Sequence, residues 1–259
     1  GGVILPIVYN AIEFFAPSDS SCLRWQGFLK IKQGSQYALA NDLGKGITPI
    51  KYQEIFLFKE TCTETHPNTQ VIRVKENGHY GLISADGKVI IPSSYEAIDL
   101  ISDKEGQFFA PAIVRVKKQG KYGCMALYHK QIVPSSFQNI EFLQNLSVKE
   151  SKKTVYYPML KVKFKNKYSI KNYQNEAKIP FVYDEIKPYS QKEQLALVRK
   201  GKKYGFMDLR GKIKIPINYE YALPFRKEIA LVKKGRKYGA INAQKKMVIP
   251  FSFDEIEFL

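Results

Sequence analysis

A Tyr recurs six times along this chain of 259 residues, each followed by a Pro twelve residues later and by an aromatic residue three positions after that Pro. The first residues of the six sets are Tyr37, Tyr80, Tyr122, Tyr168, Tyr204 and Tyr238; the Pro residues are Pro49, Pro92, Pro134, Pro180, Pro216 and Pro250; the closing aromatics are Tyr52, Tyr95, Phe137, Tyr183, Tyr219 and Phe253. Such a period predicts stacked copies of one supersecondary unit, which bury a shared core that no single copy could bury alone.

Each unit has the pattern of antiparallel strands joined by tight turns. Apolar residues stand eight and six positions before the Tyr, and in the first four units a Lys or Arg lies between them, as expected for a strand with one buried face. Leu197 and Leu231 take that middle position in the last two units, so we expect both faces of those strands to be covered. The repeated Tyr and the closing aromatic are expected to be core residues.

Small residues mark the turns. A residue that favours the left-handed backbone of a hairpin turn stands two or three positions before each Tyr: Gly34, Gly78, Gly120, Asn166, Gly201 and Gly235. The Pro has no N–H donor and is expected to end a short third strand. Each unit is therefore predicted to be a hairpin, a third strand and a returning tail.

The pattern predicts one β-repeat domain over residues 1–259. Pro6 and Tyr9 keep the same spacing, which indicates a partial unit at 1–15, and six full units follow at 28–58, 71–101, 113–143, 159–189, 195–225 and 229–259. The predicted fold class is all-β, with tandem antiparallel repeats in an open curved array or, alternatively, a propeller-like ring. Extra residues fall between units at 15–27, 59–70, 102–112 and 144–158, and we expect these insertions on one side of the molecule.

Composition agrees with a globular β protein. The chain is 44% hydrophobic, contains 17 Tyr and 16 Phe, which favour strands, and has no apolar run of the roughly 20 residues that span a bilayer. The three cysteines form no CxxC pair. Cys124 aligns with Leu82 and Phe206 and is predicted to lie in the core, whereas Cys22 and Cys62 fall in insertions of adjacent units, where a disulfide stays open.

The net charge of +17 comes from one repeated place. The seven residues before each of the six Tyr residues together contain 20 of the 41 basic residues and a single acid. In the last four units these turns are predicted to form a basic ridge: Lys117, Lys118, Lys121, Lys163, Lys165, Lys167, Arg199, Lys200, Lys202, Lys203, Lys233, Lys234, Arg236 and Lys237. Solvation of exposed turns and protection of sheet edges would explain the charge without a ligand.

The functional interpretation of the ridge is an acidic partner. Such a field attracts an acidic protein, an anionic glycan or cell surface, or a nucleic acid. Most of the twenty residues are Lys, which does not favour the bidentate phosphate contacts of Arg. A second predicted binding set consists of aromatics in the insertions: Trp25, Phe108, Phe109, Tyr156 and Tyr157.

No catalytic constellation is visible, so we expect a protein that is not an enzyme and needs no cofactor or metal. Asp184 and Glu185 are adjacent in a predicted strand and point to opposite faces, unlike a glycosidase pair. The three histidines occupy different repeat positions, and no phosphate-binding loop occurs. Acids that follow the closing aromatics, such as Glu96 and Glu220, are predicted to pair with turns of the neighbouring repeat and to fix the stacking.

The chain resembles the bacterial WG-repeat proteins, in which a Trp or Tyr precedes a Gly. The resemblance rests on the pattern Lys-Tyr-Gly, Gly-Lys, Ile-Pro and Tyr-Asp/Glu-x-Ile, which extends over nearly the whole chain and departs from the family where Ala38 and Ser169 replace the Gly. It implies a β-repeat binding module, often secreted or attached to other domains, without shared catalytic residues. A periplasmic or extracellular scaffold that binds another protein is the expectation that follows.

Overall fold

The computed structural model describes residues 9–15, 27–57, 71–101, 113–126, 131–150, 153–172, 179–187, 190, 192–208 and 210–258. These residues form 22 strands in six antiparallel sheets of three or four strands, and they contain no helix. None of the six sheets closes into a barrel. The predicted all-β class and the tandem array of antiparallel repeats are confirmed; whether the array is open or a ring stays a prediction.

The strands fall into two compact units. The first contains β1 (Ala11–Phe15), β2 (Phe28–Gln33), β3 (Gln36–Asn41), β4 (Glu54–Leu57), β5 (Val71–Glu76), β6 (His79–Ser84), β7 (Val89–Tyr95), β8 (Ala97–Leu100), β9 (Ile113–Lys118) and β10 (Lys121–Ala126). Its sheets have the orders β1-β2-β3 and β4-β5-β6-β7, and a third sheet is built on β8, β9 and β10 with β9 between the other two.

The second unit begins within β11 (Gln131–Phe137). It continues with β12 (Asn139–Glu150), β13 (Lys153–Phe164), β14 (Lys167–Asn172), β15 (Glu185–Ile186), β16 (Ala196–Lys200), β17 (Lys203–Met207), β18 (Ile213–Tyr219), β19 (Tyr221–Ala222), β20 (Ile229–Lys234), β21 (Lys237–Asn242) and β22 (Met247–Phe253). Its sheets have the orders β12-β13-β14, β15-β16-β17-β18 and β19-β20-β21-β22. That the two units make one domain stays a prediction.

Each sheet combines parts of two sequence repeats. The short strand that follows the closing aromatic of one repeat pairs with the first strand of the next repeat, as β4 pairs with β5 and β19 with β20. The sheets are therefore displaced by one strand from the sequence units. Successive repeats are joined by backbone hydrogen bonds as well as by side-chain packing.

The predicted hairpin turns adopt the expected left-handed backbone. Gly34, Gly201 and Gly235 have φ values of 60°, 61° and 63° as first turn residues. In the second, third and fourth repeats both turn residues are left-handed. In the second repeat, for example, φ is 51° at Asn77 and 78° at Gly78. These two patterns match two-residue hairpins of the II′ and I′ types, whose twist fits antiparallel strands.

The core consists of the predicted strand positions. Val74, Val116, Val162 and their equivalents are buried, as are Leu197 and Leu231, which confirms that both faces of the last two first strands are covered. Cys124 is fully buried and free, and burial raises its thiol pKa to about 12. Cys22 and Cys62 lie outside the described residues, so their pairing stays open.

The third strand differs from the prediction. Pro92, Pro216 and Pro250 lie within β7, β18 and β22 instead of ending them. The pairing shifts at this point: Tyr80 pairs with Tyr95 but Leu82 pairs with Ile91, so the Pro occupies a bulge that needs no donor. The strand then continues to the closing aromatic, which lies opposite the repeated Tyr.

The Gly after the repeated Tyr makes room for this bulge. A Cβ on Gly205 would lie 2.7 Å from the carbonyl oxygen of Ile215 and 2.8 Å from the Cα of Ile217, and Gly81 and Gly239 meet the same obstacle. Bulged third strands face all three glycines. Ala38 and Ser169 replace this Gly in the first and fourth repeats, where the described residues form isolated bridges between the second strand and the segment that follows, such as Tyr37 with Tyr52 and Tyr168 with Tyr183.

Ser169 shows how a larger residue is accommodated. It is fully buried, and its hydroxyl donates a hydrogen bond of 2.5 Å to the carbonyl of Ile179, the residue before Pro180. The equivalent carbonyl in the fifth repeat, that of Ile215, is the one a Cβ on Gly205 would meet. Where Ser169 replaces the Gly of the repeat, a side-chain hydrogen bond therefore takes the place of the close approach between two backbones.

We predict that Gly205→Ala destabilises the protein by about 1–3 kcal/mol, because the new methyl group meets backbone atoms that cannot rotate away. Gly46→Ala is the matched control, since nothing lies within 4 Å of a Cβ there, and it should stay within about 0.5 kcal/mol of the wild type. Urea unfolding measures both values. Equal stability of the two variants would contradict this account of the repeat motif.

Candidate binding surface on the hairpin turns

One contact recurs at the six hairpin turns that precede the repeated Tyr residues. The residue directly after each closing aromatic donates its backbone N–H to a first-strand carbonyl of the next repeat, with N···O distances of 2.8 to 3.0 Å. Its side-chain oxygen accepts the N–H of the left-handed turn residue in that repeat, at 2.6 to 3.0 Å. The six capping residues are Asn10, Gln53, Glu96, Gln138, Asp184 and Glu220. Each turn is thus held by the tail of the repeat before it.

Asp184 and Glu220 connect two successive turns each. Asp184 accepts the N–H of Gly201 at 2.7 Å and pairs with Lys167 of its own repeat at 2.5 Å. Glu220 accepts the N–H of Gly235 at 3.0 Å and pairs with Lys203 at 2.5 Å. The lysine partners, followed by these N–H donors, hold the pKa of both carboxyls below the usual range. The prediction that these acids pair with neighbouring turns is confirmed here.

The basic residue five positions before each repeated Tyr lies directly across the hairpin from it. Lys233 is opposite Tyr238, and its Nζ is 4.7 Å from the ring centroid. Lys163 is 5.5 Å from the Tyr168 ring in the same arrangement. The repeated Tyr residues are half-buried, and Tyr37, Tyr80, Tyr168 and Tyr204 pack against the hydrophobic clusters, so they lie at the edge of the core and not within it. Among the closing aromatics, Tyr52, Phe137, Tyr183 and Tyr219 are buried as expected, whereas Tyr95 is half-buried and the expectation is wrong for Phe253, which is exposed.

The predicted ridge therefore separates into two sets. Seven of its residues make an ion pair or lie over a repeated Tyr: Lys117, Lys163, Lys167, Arg199, Lys203, Lys233 and Lys237. The other seven are exposed and have no ion-pair partner among the described residues, although Lys118 lies 5.9 Å from the Tyr95 ring centroid and Lys165 lies 5.7 Å from that of Phe164. These are Lys118, Lys121, Lys165, Lys200, Lys202, Lys234 and Arg236, and we call them the free turn cations. The second set can bind a ligand without breaking an ion pair of the fold.

The free turn cations of the second unit lie on adjacent turns. Asp184 links the turn of Lys165 to that of Lys200 and Lys202, because its carboxylate contacts both Lys167 and Gly201. Glu220 links the latter turn to that of Lys234 and Arg236 in the same way. The structure thus brings the predicted cations of three repeats into one row, with a capping carboxylate between each pair of turns.

The predicted aromatic set is only partly placed. Trp25, Phe108 and Phe109 lie outside the described residues. Tyr156 and Tyr157 belong to β13, opposite Ser147 and Leu146 of β12, and the structure describes their backbone alone. Residues 144–150 and 153–158 continue β12 and β13, so the described part of this insertion is a long hairpin; a binding role for the set stays a prediction.

A row of three tyrosines was missed by sequence reasoning. The half-exposed ring of Tyr221 lies between Tyr204 and Tyr238, with centroids 6.1 Å from each. The available signal was the repeat alignment: the position two residues after the closing aromatic is Glu54, Ala97, Asn139, Glu185 or Glu255 in the other repeats and is aromatic only here. This row borders the turns that carry Lys202 and Lys234.

No group of acidic residues, histidines and cysteines in the described ranges could hold a metal ion. No helix in those ranges is long and apolar enough to cross a membrane.

We predict that Asp184→Ala lowers the melting temperature by roughly 2–4 °C, since both the turn cap and the pair with Lys167 disappear. Asp184→Asn should lose less, because an amide oxygen still caps the turn, as Gln53 and Gln138 do at theirs. Thermal unfolding monitored by circular dichroism measures the difference. A larger loss for Asn than for Ala would show that capping is not what this residue contributes.

The same comparison has a defined pH dependence. The pKa of Asp184 is lower in the folded protein than in the unfolded chain, so its stabilisation is fully present above the ordinary pKa and is lost as pH falls through the folded value. The stability difference between the wild type and Asp184→Asn should therefore be constant near neutral pH and shrink below about pH 4. A difference that grows on acidification would contradict the assignment.

Comparisons with known proteins identify the repeat. The sequence model of the family described as "WG containing repeat" matches residues 80–122, 168–204, 204–238 and 238–259, just over half of the chain. No curated protein sequence is significantly similar. Among solved structures, Sqt1 of Saccharomyces cerevisiae is 11% identical with a TM-score of 0.32, over 85% of this chain and 69% of that one.

A second similar structure is a protein of unknown function from Bacteroides caccae. It is 11% identical with a TM-score of 0.25, over 83% of this chain and 89% of that one. At TM-scores this low, neither structure indicates a shared site or function.

Proposed function

Because the chain belongs to the family of proteins with WG containing repeats, we propose that it is a non-enzymatic repeat scaffold that binds an acidic protein through its free turn cations. The observation that carries this proposal is the separation of the ridge into two sets. Half of the ridge serves the fold, whereas seven exposed cations make no ion pair with any described residue. Cations that the fold does not use are the ones that can attract a partner.

The arrangement of charge favours a protein over a uniform polyanion. Two of the three turns of the second unit carry a capping carboxylate among their cations, Asp184 at the turn of Gly201 and Glu220 at the turn of Gly235. A phosphate backbone or a sulfated glycan presents charge at a dense, regular spacing and would meet the carboxylates at both of these turns. An acidic protein surface can place its carboxylates opposite the cations and neutral groups opposite the carboxylates.

The electrostatics also support a binding role over a catalytic one. A general acid needs a raised carboxyl pKa, and the carboxyls of Asp184 and Glu220 are shifted in the opposite direction by their lysine partners and turn N–H donors. Both are already engaged in holding the repeats together. No candidate nucleophile and base are brought together on this surface.

A charge-reversal pair tests the proposal. Lys200→Glu with Lys234→Glu removes two free turn cations, and Lys212→Glu with Lys246→Glu changes the net charge equally at exposed lysines of other turns. We expect a labelled poly-glutamate peptide to bind the wild type, with affinity falling as salt increases. The first pair should weaken binding at least tenfold, and the second should change it by less than threefold.

Fluorescence anisotropy in low and physiological salt measures these affinities, and circular dichroism checks that both variants fold. The proposal fails if the wild type does not bind the acidic peptide, or if the two pairs weaken binding equally. Tighter binding of a single-stranded oligonucleotide or of heparin than of poly-glutamate would also contradict it, since it would identify a polyanion as the ligand.

A further inference from the structure

Tyr221 occupies a position that has a structural role in other repeats. The residue two places after the closing aromatic lies directly across from the cation that covers the next repeated Tyr. In two repeats it is an acid that pairs with that cation: Glu54 with Lys75 at 2.8 Å and Glu185 with Arg199 at 3.5 Å. Between the fifth and sixth repeats Tyr221 stands opposite Lys233 instead, so this junction has an aromatic ring in place of the pairing carboxylate.

The ring of Tyr221 converts two separate tyrosines into a continuous row. It makes edge contacts with Tyr204 and Tyr238, at interplanar angles of 60° and 71°, and remains 39% exposed. The centroids of Tyr204 and Tyr238 are consequently at most about 12 Å apart, which is the length of roughly four residues of extended chain. The turns that precede Tyr204 and Tyr238 are thus separated by a short row of aromatic rings.

Cations flank this row on both sides. Lys202 precedes Tyr204 by two residues, and Lys234 and Arg236 belong to the turn before Tyr238; all three are free turn cations. Glu220, next to Tyr221 in sequence, is neutralised by Lys203 and by the N–H of Gly235. The surface therefore has aromatic rings and Lys233 at its centre and free turn cations at each end.

We propose that the row of Tyr204, Tyr221 and Tyr238 is a recognition site for an extended acidic peptide whose carboxylates are spaced about four residues apart. One carboxylate binds at the turn of Lys202 and the next at the turn of Lys234 and Arg236. An apolar side chain between them packs on the partly exposed ring of Tyr221. This inference rests on the proposed function and specifies its ligand and its register.

The arrangement favours an acidic peptide over a nucleic acid. The site offers free turn cations at two ends, with a neutralised carboxylate and a row of rings against Lys233 between them, which matches separated charges and not a charge on every unit of the ligand. Lys202 and Lys234 bind as point charges, and Arg236 is the one free turn cation among the described residues able to make a bidentate contact.

The experiment compares two labelled peptides of identical composition. One has Glu at every fourth residue with Leu and Ser between, and the other has the same Glu residues consecutively at one end. We expect the wild type to bind the spaced peptide at least tenfold more tightly in physiological salt. Tyr221→Glu should abolish that preference, because Glu at this position is expected to pair with Lys233 as Glu54 pairs with Lys75.

Tyr221→Phe is the matched control, since it keeps the ring and should keep the preference for the spaced peptide within threefold. Glu54 and Glu185 show that the fold accepts a carboxylate at this position, and circular dichroism verifies it for the variant. Equal binding of the two peptides by the wild type, or an unchanged preference in Tyr221→Glu, overturns the inference while leaving acidic binding intact. Absence of binding to either peptide overturns the proposed function as well.

Discussion

The hydrogen bond between a repeat's tail and the next hairpin turn is the contact on which the rest of this structure depends. A left-handed turn residue leaves its N–H pointing outward, and an unpaired N–H is costly wherever solvent is limited. The side-chain oxygen of the preceding repeat satisfies it, as Asp184 does for Gly201, while the backbone of the same residue extends the sheet. One residue per repeat thus fixes both the turn and the spacing between neighbours.

This contact explains why so many cations can gather on one surface. Lys203 is held by Glu220, and Lys233 lies over the ring of Tyr238, so much of the positive charge is balanced locally by the fold. The seven free turn cations are the remainder, and they account for a positive surface that would attract acidic ligands. At the junction of the fifth and sixth repeats, the ring of Tyr221 takes the position that Glu54 and Glu185 occupy in two other repeats.

Much of the fold was predictable because its signals are local and repeated six times. The strands around Val74 and Val198, the turns at Gly120 and Gly201 and the burial of Cys124 follow from hydrophobic periodicity and turn chemistry. The bulge at Pro216 was not predicted, because it depends on how closely two backbones approach at Gly205. The capping role of Gln53 was not predicted either, because only acidic residues were expected at this position. Capping the turn N–H requires a side-chain oxygen, which an amide supplies as well as a carboxylate.

The candidate site was predictable only in outline. Sequence located the cations but could not distinguish Lys200 from Lys203, since pairing with Glu220 depends on a contact across the repeat. The Tyr221 row likewise requires knowing that positions 17 residues apart in sequence lie side by side. Membership in the WG repeat family identifies the architecture, while the proposed binding surface consists of residues that vary from one repeat to the next.

The most direct measurement of the central claim, that the ridge contains a structural and a free set of cations, is the rate at which each lysine is acetylated in the folded protein. Mass spectrometry after brief treatment with acetic anhydride resolves these rates one lysine at a time. The structure predicts fast modification of Lys200, Lys202 and Lys234 and slow modification of Lys167, Lys203 and Lys233. Equal rates across the two sets would show that the ridge is uniformly solvated and would contradict the account.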